Sequence, residues 1–542
     1  MTQGTHPTSS EDVLPVAVVG GGPVGLITAL GLVHYGVPVT VFEEDEQLSL
    51  DTKAGTILTR TLEVLHRYGA VDAVLRASLR IDEIGDLDRA TNQSRESVRT
   101  GTLSDDTRFP FVINIPQHHL EPVLRDRLDM LAPGVLRMRH RVTDFVQHDD
   151  HVELLLDTPD GEQRVKARYL LACDGGRSQT REKLGITVEG RTLEQRYMLV
   201  DLEVDLDVTN PRDYPYLAYF GDPSEWMILV RQPHCWRFLY PLDPGRPEPD
   251  EAELAAKAKR FIGDVTGLRV LGTNVYTVHH RVADRWRVGR IFLMGDAAHL
   301  ITPMWALGLN TGVLDASNLP WRLAWVLRGW ADESLLDGYE REQAPVAIRG
   351  AGEMAEAARA YMDRRDDGMA AMAGGGWGVA VTRSLLGVRL DVDGSGDWSM
   401  IVHGDSPRPV RAGDRIPDVR VFGPDGEVYL HDLCADAFVA LYFTDARRRP
   451  RLPEGAEPGL RRYVISRWDA PLNSGLRDIA LFDPGERATR RIGVPPDTAV
   501  LVRPDGHVAA IAAFDPADPQ QDPVADAYAR ITGRRTREGA LA

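Results

Sequence analysis

The sequence predicts the α/β class, and three observations predict it. A β-branched run, Val16-Ala17-Val18-Val19, enters a glycine-rich turn and then an apolar, helix-like stretch. Two later apolar runs, Tyr169-Leu170-Leu171-Ala172 and Ile291-Phe292-Leu293-Met294, likewise end at turns rich in Gly and Asp. Beyond Gly413 a second alternation of strand and turn signals begins. Short apolar runs of this kind, recurring before helices, are the pattern of a parallel sheet covered on both faces.

The first unit is the most informative. Gly20-Gly21-Gly22-Pro23-Val24-Gly25 matches G-x-G-x-x-G through Gly20, Gly22 and Gly25. An apolar stretch from Leu26 to Tyr35 follows, Gly36 closes it, and Val37 to Phe42 reads as a second strand ending in Glu43-Glu44. Strand, glycines, helix and strand in this order make a Rossmann-type βαβ unit. Gly20 allows the tight turn, Gly22 admits a pyrophosphate, and Gly25 lets the helix pack close to the strand. The helix N-terminus offers free N–H groups and a positive dipole end to the diphosphate, with Pro23 and Val24 counted beside it as cofactor contacts. Glu43, 18 residues past Gly25, is placed to accept hydrogen bonds from ribose hydroxyls.

Composition narrows the class. Of 542 residues 43% are hydrophobic and 26% charged, ordinary globular values. At about 150 residues per domain the length predicts three or four domains. The net charge of −17 disfavours nucleic acid and anionic membrane as partners. Cys173, Cys235 and Cys434 stand far apart and make no metal or disulfide pattern. No metal is expected, and isolated thiols suit a reducing cytoplasm. Val13 to Phe42 carries no Asp, Glu, Lys or Arg, but Gly20-Gly21-Gly22-Pro23, Gly36 and Pro38 break it, so it reads as buried strands and a helix and not as a membrane span.

Three further segments resemble the class A flavoprotein monooxygenases, the aromatic hydroxylases related to para-hydroxybenzoate hydroxylase. They are Asp174-Gly175-Gly176-Arg177-Ser178 with Arg181, then Gly295-Asp296-Ala297-Ala298-His299 continuing through Pro303 to Gly308-Leu309-Asn310-Thr311-Gly312, and Pro116-Gln117-His118-His119-Leu120-Glu121. The resemblance spans about residues 13 to 360 and implies that the dinucleotide is FAD. It implies that Asp174 supports the pyrophosphates, that Asp296 holds the ribityl chain, that Gln117 touches that chain, and that the Gly308-Leu309-Asn310 segment opens a helix facing the flavin pyrimidine. A helix N-terminus there stabilises the charge of reduced flavin. Lys53 stands where relatives carry an Arg near the cofactor. The cofactor-contact set is thus Gly20, Gly22, Pro23, Val24, Gly25, Glu43, Glu44, Lys53, Gln117, Asp174, Asp296, Pro303, Gly308, Leu309 and Asn310. Glu44 occupies a position where an Arg is common, which removes one contact. Thr302 and Trp305-Ala306 replace a usual Pro and a common Gly-Gly beside the isoalloxazine. Trp305 either narrows the pocket or is a packing aromatic on a loop.

Residues 183 to 280 read as β-rich, and in the resembled family such a sheet covers the flavin and forms the substrate pocket. Tyr219, Met227, Arg231, Tyr240 and Trp305 are the substrate candidates. The aromatic residues suit either a flat apolar ligand or sheet core, and Arg231 either an anionic group or a solvated edge. From Gly413 the chain resembles the thioredoxin-like tail of the longer phenol, phenylpropionate and polyketide hydroxylases, carried by Arg415-Ile416-Pro417-Asp418, a strand from Phe438 to Phe443, and Arg503-Pro504-Asp505-Gly506. Cys434 is alone, so dithiol chemistry is not expected, and a docking or oligomer role, such as a homodimer contact, is.

The expected organisation is a Rossmann-type FAD-binding domain (12–182 and 281–365, the latter with helices), an inserted β-sheet substrate domain (183–280), a connector (366–410) and a thioredoxin-like α/β domain (411–542). The resemblance implies that NAD(P)H reduces FAD, that a flavin C4a-hydroperoxide forms from O2, and that a phenolic ring receives the oxygen. The same motifs would serve epoxidation, Baeyer–Villiger oxidation of a polyketide, or a flavin reductase without oxygen insertion. A flavin-binding sensor is the non-enzyme reading. No catalytic base, and no choice of NADPH or NADH, follows from the residues.

Overall fold

The computed structural model of the chain describes residues 13–49, 55–91, 93–206, 214–263, 265, 267–363, 377–392, 394, 409–444, 457–466, 479–518 and 522–534. Lys53 and most of the expected connector lie outside these residues; the connector's described middle, 377–392 and 394, opens with the helix Trp377–Leu386.

Val13–Val19, Pro23–His34 and Val39–Phe42 form the βαβ unit in the expected order. The helix starts three residues earlier than its apolar run suggests, because Pro23 presets the helical φ at its first position. Val13–Val19 pairs in parallel with Val39–Phe42 on one side and with Gly161–Ala172 on the other. Gly161–Ala172 in turn pairs in parallel with Ile291–Leu293. This eight-stranded sheet is therefore assembled from segments over 100 residues apart, and the long sheet domain is inserted between two of its strands.

The second sheet also has eight strands, in the order 299–300, 269–283, 188–203, 236–242, 227–231, 217–220, 83–87 and 94–99. It recruits Glu83–Leu87 and Ser94–Arg99 from the first part of the chain, through a parallel pairing of Leu217–Phe220 with Glu83–Leu87. Its two faces differ. One packs against the helix Glu251–Ile262 through Leu202, Met227, Phe238 and Tyr240; the other faces the first sheet.

Leu307–Leu327, a 21-residue helix, runs through the middle of the molecule and buries nearly its whole surface. The other helices of the 281–365 segment include Gly338–Pro345, a π-helical turn Val346–Gly352 and Glu353–Met362. Pro345 cannot donate to the helical ladder, and the wider turn follows directly after it. The C-terminal domain is a seven-stranded mixed sheet in which Phe438–Phe443 lies between Leu460–Ser466, parallel, and Thr498–Val502, antiparallel, as in thioredoxin-like folds. Among the described residues no helix is long and apolar enough to cross a membrane.

Candidate active site

Three parallel strands end at one edge of the first sheet and deliver the motif residues there. Val13–Val19 leads into Gly20, Gly161–Ala172 into Cys173 and Asp174, and Ile291–Leu293 into Gly295 and Asp296. Crevices at the carboxyl ends of such strands are the ligand sites of open α/β sheets. Two cavities open at this edge, about 450 and about 600 Å³, and share Gly22, Cys173 and Gly175 in their walls.

The glycines divide their work as the spacing requires. Gly20 has φ +100°, and a Cβ on it would stand 2.3 Å from the Cys173 carbonyl oxygen. A Cβ on Gly25 would stand 2.0 Å from the Gly20 oxygen, so only glycine lets the helix begin so close to the turn. A Cβ on Gly22 would meet nothing within 4 Å, because Gly22 faces the open crevice. Arg181 ties two motifs together by donating to the Gly176 oxygen (2.8 Å) and the Ala297 oxygen (2.9 Å). Asp315, wholly buried, accepts from the Gly295 N–H at 2.9 Å and meets His299 Nε2 at 2.8 Å, which locks the Gly295–His299 turn.

The smaller cavity is lined by Gly20, Gly22, Glu43, Glu44 and Asp174. Glu43 accepts from the Gly21 N–H at 2.5 Å and the Asp45 N–H at 2.9 Å. Glu44 pairs with Arg141 at 3.3 Å. Asp174 accepts from the Thr180 N–H at 3.0 Å, while its Oδ1 is buried without a partner among the described residues. An orphaned buried carboxylate oxygen costs free energy unless a donor arrives, and bound water or a ribose hydroxyl supplies one. The open Gly22 and the free start of Pro23–His34 fit the diphosphate of FAD, and the orphaned Asp174 oxygen fits a ribose hydroxyl or a water beside it.

The larger cavity holds the other half of the expected set. Gly22, Pro23, Val24, Gln117, Asp296, Pro303, Gly308 and Leu309 line it. Gln117 sits in the first turn of the helix Gln117–Leu131 and donates to Glu121 at 2.7 Å. The helix Leu307–Leu327 starts at this wall, after Trp305 (φ 58°) and Ala306 (φ 57°). Two consecutive non-glycine residues in the left-handed region carry strain of roughly 1–2 kcal/mol each. These are the two positions that differ from the common Gly-Gly. Asn310 does not present its side chain to the cavity. Its Oδ1 accepts from the Leu58 N–H (3.0 Å) and Thr61 Oγ1 (2.7 Å), and its Nδ2 donates to the Thr56 (3.0 Å) and Ala306 (2.7 Å) oxygens. The cofactor contact expected of Asn310 therefore narrows to its backbone.

The second sheet supplies the far wall, and strand alternation decides which residues reach it. Tyr219 and Trp305 line the cavity with Leu199, Ile228, Val230 and Leu239. Three substrate candidates do not line this cavity. Met227 and Tyr240 point to the opposite face, against the helix Glu251–Ile262, where Lys257 sits 3.7 Å from the Tyr240 ring centroid. Arg231 donates to the Gln232 (2.6 Å) and Cys235 (3.2 Å) oxygens in its own turn. Ile228 and Leu239, one residue along from Met227 and Tyr240, take their places in the wall.

Gln232, Arg237, Asn274 and Tyr276 also line the cavity and were not singled out by the sequence. Arg237, 4% exposed, is bidentate to Asp201 at 2.8 and 2.9 Å, on the strand beside it. A charged residue alternating with large apolar ones in Trp236-Arg237-Phe238-Leu239 was the available signal. Both polar amide atoms of Gln232 are buried without a partner among the described residues. Burial pushes the Tyr219 and Tyr276 hydroxyls well above their ordinary range, so both stay protonated donors at neutral pH. Burial likewise raises the Cys173 thiol, which is therefore not a thiolate nucleophile.

The comparisons with known proteins agree with this geometry. A family model described as FAD binding domain matches residues 13–351, and one described as aromatic-ring hydroxylase, C-terminal, matches 410–534. The chain is 32% identical to para-nitrophenol 4-monooxygenase of Pseudomonas sp. (strain WBC-3) over 65% of this chain and 88% of the relative. It is 31% identical to tetracenomycin A2 monooxygenase-dioxygenase of Streptomyces glaucescens over 94% and 95%. A solved ternary complex of aklavinone-11 hydroxylase with FAD and aklavinone superposes with a TM-score of 0.76 at 27% identity, covering 97% of this chain and all of that one. From its first strand to its last described helix, the chain belongs to the FAD-binding aromatic-ring hydroxylases, flavin-dependent monooxygenases with a thioredoxin-like C-terminal domain.

Proposed function

We propose that this chain hydroxylates a phenolic aromatic substrate, using FAD, NAD(P)H and O2. One observation carries the reading: the dinucleotide crevice opens into a chamber of about 600 Å³ whose far wall is the apolar face of the second sheet. Bound FAD would supply dioxygen activation with electrons from the nicotinamide. The chain's own residues would do the rest. Gly22 and the start of Pro23–His34 would seat the diphosphate, Asp296 and Gln117 the ribityl chain, and the start of Leu307–Leu327 the pyrimidine end. Leu199, Ile228, Val230 and Leu239 would hold a flat ring and exclude water. Among the described residues of this wall the carboxylate is Asp296 and no histidine occurs. Ring activation would then rest on donors that stabilise a phenolate, drawn from Tyr219, Tyr276, Gln232 and Arg237. A homodimer and a cytoplasmic location accompany this reading as expectations from the sequence.

A polycyclic phenol is the second reading, favoured by the match of the tetracenomycin A2 relative over nearly the whole of both chains. Turnover of single-ring and fused-ring phenols under 18O2 tests both. One labelled oxygen in a hydroxylated product is expected. Electrons lost to hydrogen peroxide with every phenol, or an ester from a ketone, would count against it.

A further inference from the structure

The Arg503–His507 turn of the C-terminal domain stands out in the sequence, yet it lines neither cofactor cavity. It joins Thr498–Val502 to Val508–Ala513, and Arg503, Asp505 and His507 are all buried. It reaches three helices of the first domain at once. The Asp505 backbone oxygen accepts from Arg60 Nη2 at 2.7 Å, and its Oδ2 from Trp321 Nε1 at 3.2 Å. Arg503 Nη1 donates to Glu342 Oε1 at 2.9 Å. Beside the turn, Arg415 of the same domain is wholly buried and grips Glu63 with two nitrogens, Nε at 2.7 Å from Oε2.

Arg60 and Glu63 belong to Thr59–Arg67, a helix of nine residues. The same helix reaches the flavin end of the molecule. Thr61 and the Leu58 N–H hold Asn310 Oδ1, and Asn310 in turn holds the Thr56 oxygen and, at the start of Leu307–Leu327, the Ala306 oxygen. Arg67 donates to Ser317 further along that helix at 3.0 Å. One short helix is thus gripped on one side by the tail and on the other by the helix start that faces the larger cavity. Buried ion pairs return little net stability because both charges must be desolvated. Their bidentate geometry does fix orientation.

We propose that the Arg503–His507 turn, with Arg415, is a positioning element of the flavin site. Through Thr59–Arg67 it sets where the start of Leu307–Leu327 stands. This rests on the reading that this helix start faces the flavin.

The test uses the full-length, FAD-loaded protein. Trp321→Phe removes the N–H offered to Asp505 and keeps an aromatic ring in place, about 21 Å along the helix from Leu307. Arg415→Lys keeps the charge and loses the two-pronged grip. Arg461→Ala, at an exposed pair with Asp436 on the same domain, is the control. The FAD dissociation constant and the flavin absorption band shape are read beside thermal stability. Expected are a rise of about fivefold or more in the FAD dissociation constant and an altered flavin band for the first two variants, with the control within about twofold. Lower thermal stability with unchanged FAD affinity and flavin spectrum would overturn the proposal and leave the turn as a docking contact. The two variants remove different contacts, so either one decides the matter if the other fails to fold. Wild-type protein that took up no FAD would overturn the parent reading, and this one with it.

Discussion

Gly22→Ala separates cofactor binding from folding. Gly22 has φ −69° and ψ −180°, which alanine adopts freely, and a Cβ there would meet no protein atom within 4 Å. The folded protein therefore loses nothing. Fewer unfolded conformations should even stabilise the apoprotein by about 0.4–1 kcal/mol. The methyl group would nonetheless occupy the place where a diphosphate approaches the backbone. Displacing that group weakens one or two hydrogen bonds to a charged ligand, worth about 1.5–3 kcal/mol each. FAD affinity should then fall by about 10- to 100-fold. Gly25→Ala is the counterpart. Its Cβ would stand 2.0 Å from the Gly20 oxygen, so it should destabilise the apoprotein itself. Denaturant unfolding of apoprotein and titration with FAD, on both variants, read the two effects apart. Gly22→Ala with wild-type FAD affinity would refute the placement of the diphosphate.

Other residues make comparable predictions. Ala306→Gly relieves left-handed strain of roughly 1–2 kcal/mol, partly offset by about 0.4–1 kcal/mol of unfolded-chain entropy, and should raise the denaturation midpoint; a lower midpoint would contradict the strain. Met227→Ala should cost about 2–5 kcal/mol of stability while leaving KM within about twofold, because its side chain lies behind the wall, whereas Ile228→Ala should change KM. Burial lowers His431 and His507 to about 4, despite Asp418 and Glu63 near the first and Asp505 near the second. The unfolded chain takes up these protons first, near pH 6.5, so stability is full above that pH and is lost as pH falls toward 4. Urea unfolding at pH 7 and pH 5 should show it, each histidine contributing up to about 3 kcal/mol across the window.

The βαβ unit and the strands leading to Asp174 and Asp296 were legible because glycine geometry and parallel-strand burial leave local marks. Long-range partners left none. Nothing near Glu83 announces that Glu83–Leu87 joins a sheet built mostly from residues 188–283. Met227 and Tyr240 stayed open between ligand wall and sheet core for a related reason: the apolar run identified the strands, but both faces of the sheet are buried, so composition could not tell the cavity face from the outer face. Asn310 sits in the right motif, yet its amide is used on Thr56, Leu58, Thr61 and Ala306, partners some 250 residues away or a helical turn back. Arg237 was missed although its setting among apolar neighbours marked it, because its partner Asp201 lies on another strand.

The most direct test is anaerobic stopped-flow reduction of the FAD-loaded protein by NADPH and by NADH, with and without a panel of phenols, followed by admission of oxygen. The account predicts that a phenol seated in the chamber lined by Tyr219, Ile228 and Leu239 accelerates flavin bleaching and leaves as a hydroxylated product. Flavin that bleaches at one rate whatever phenol is present, and reoxidises without oxygenated product, would contradict it.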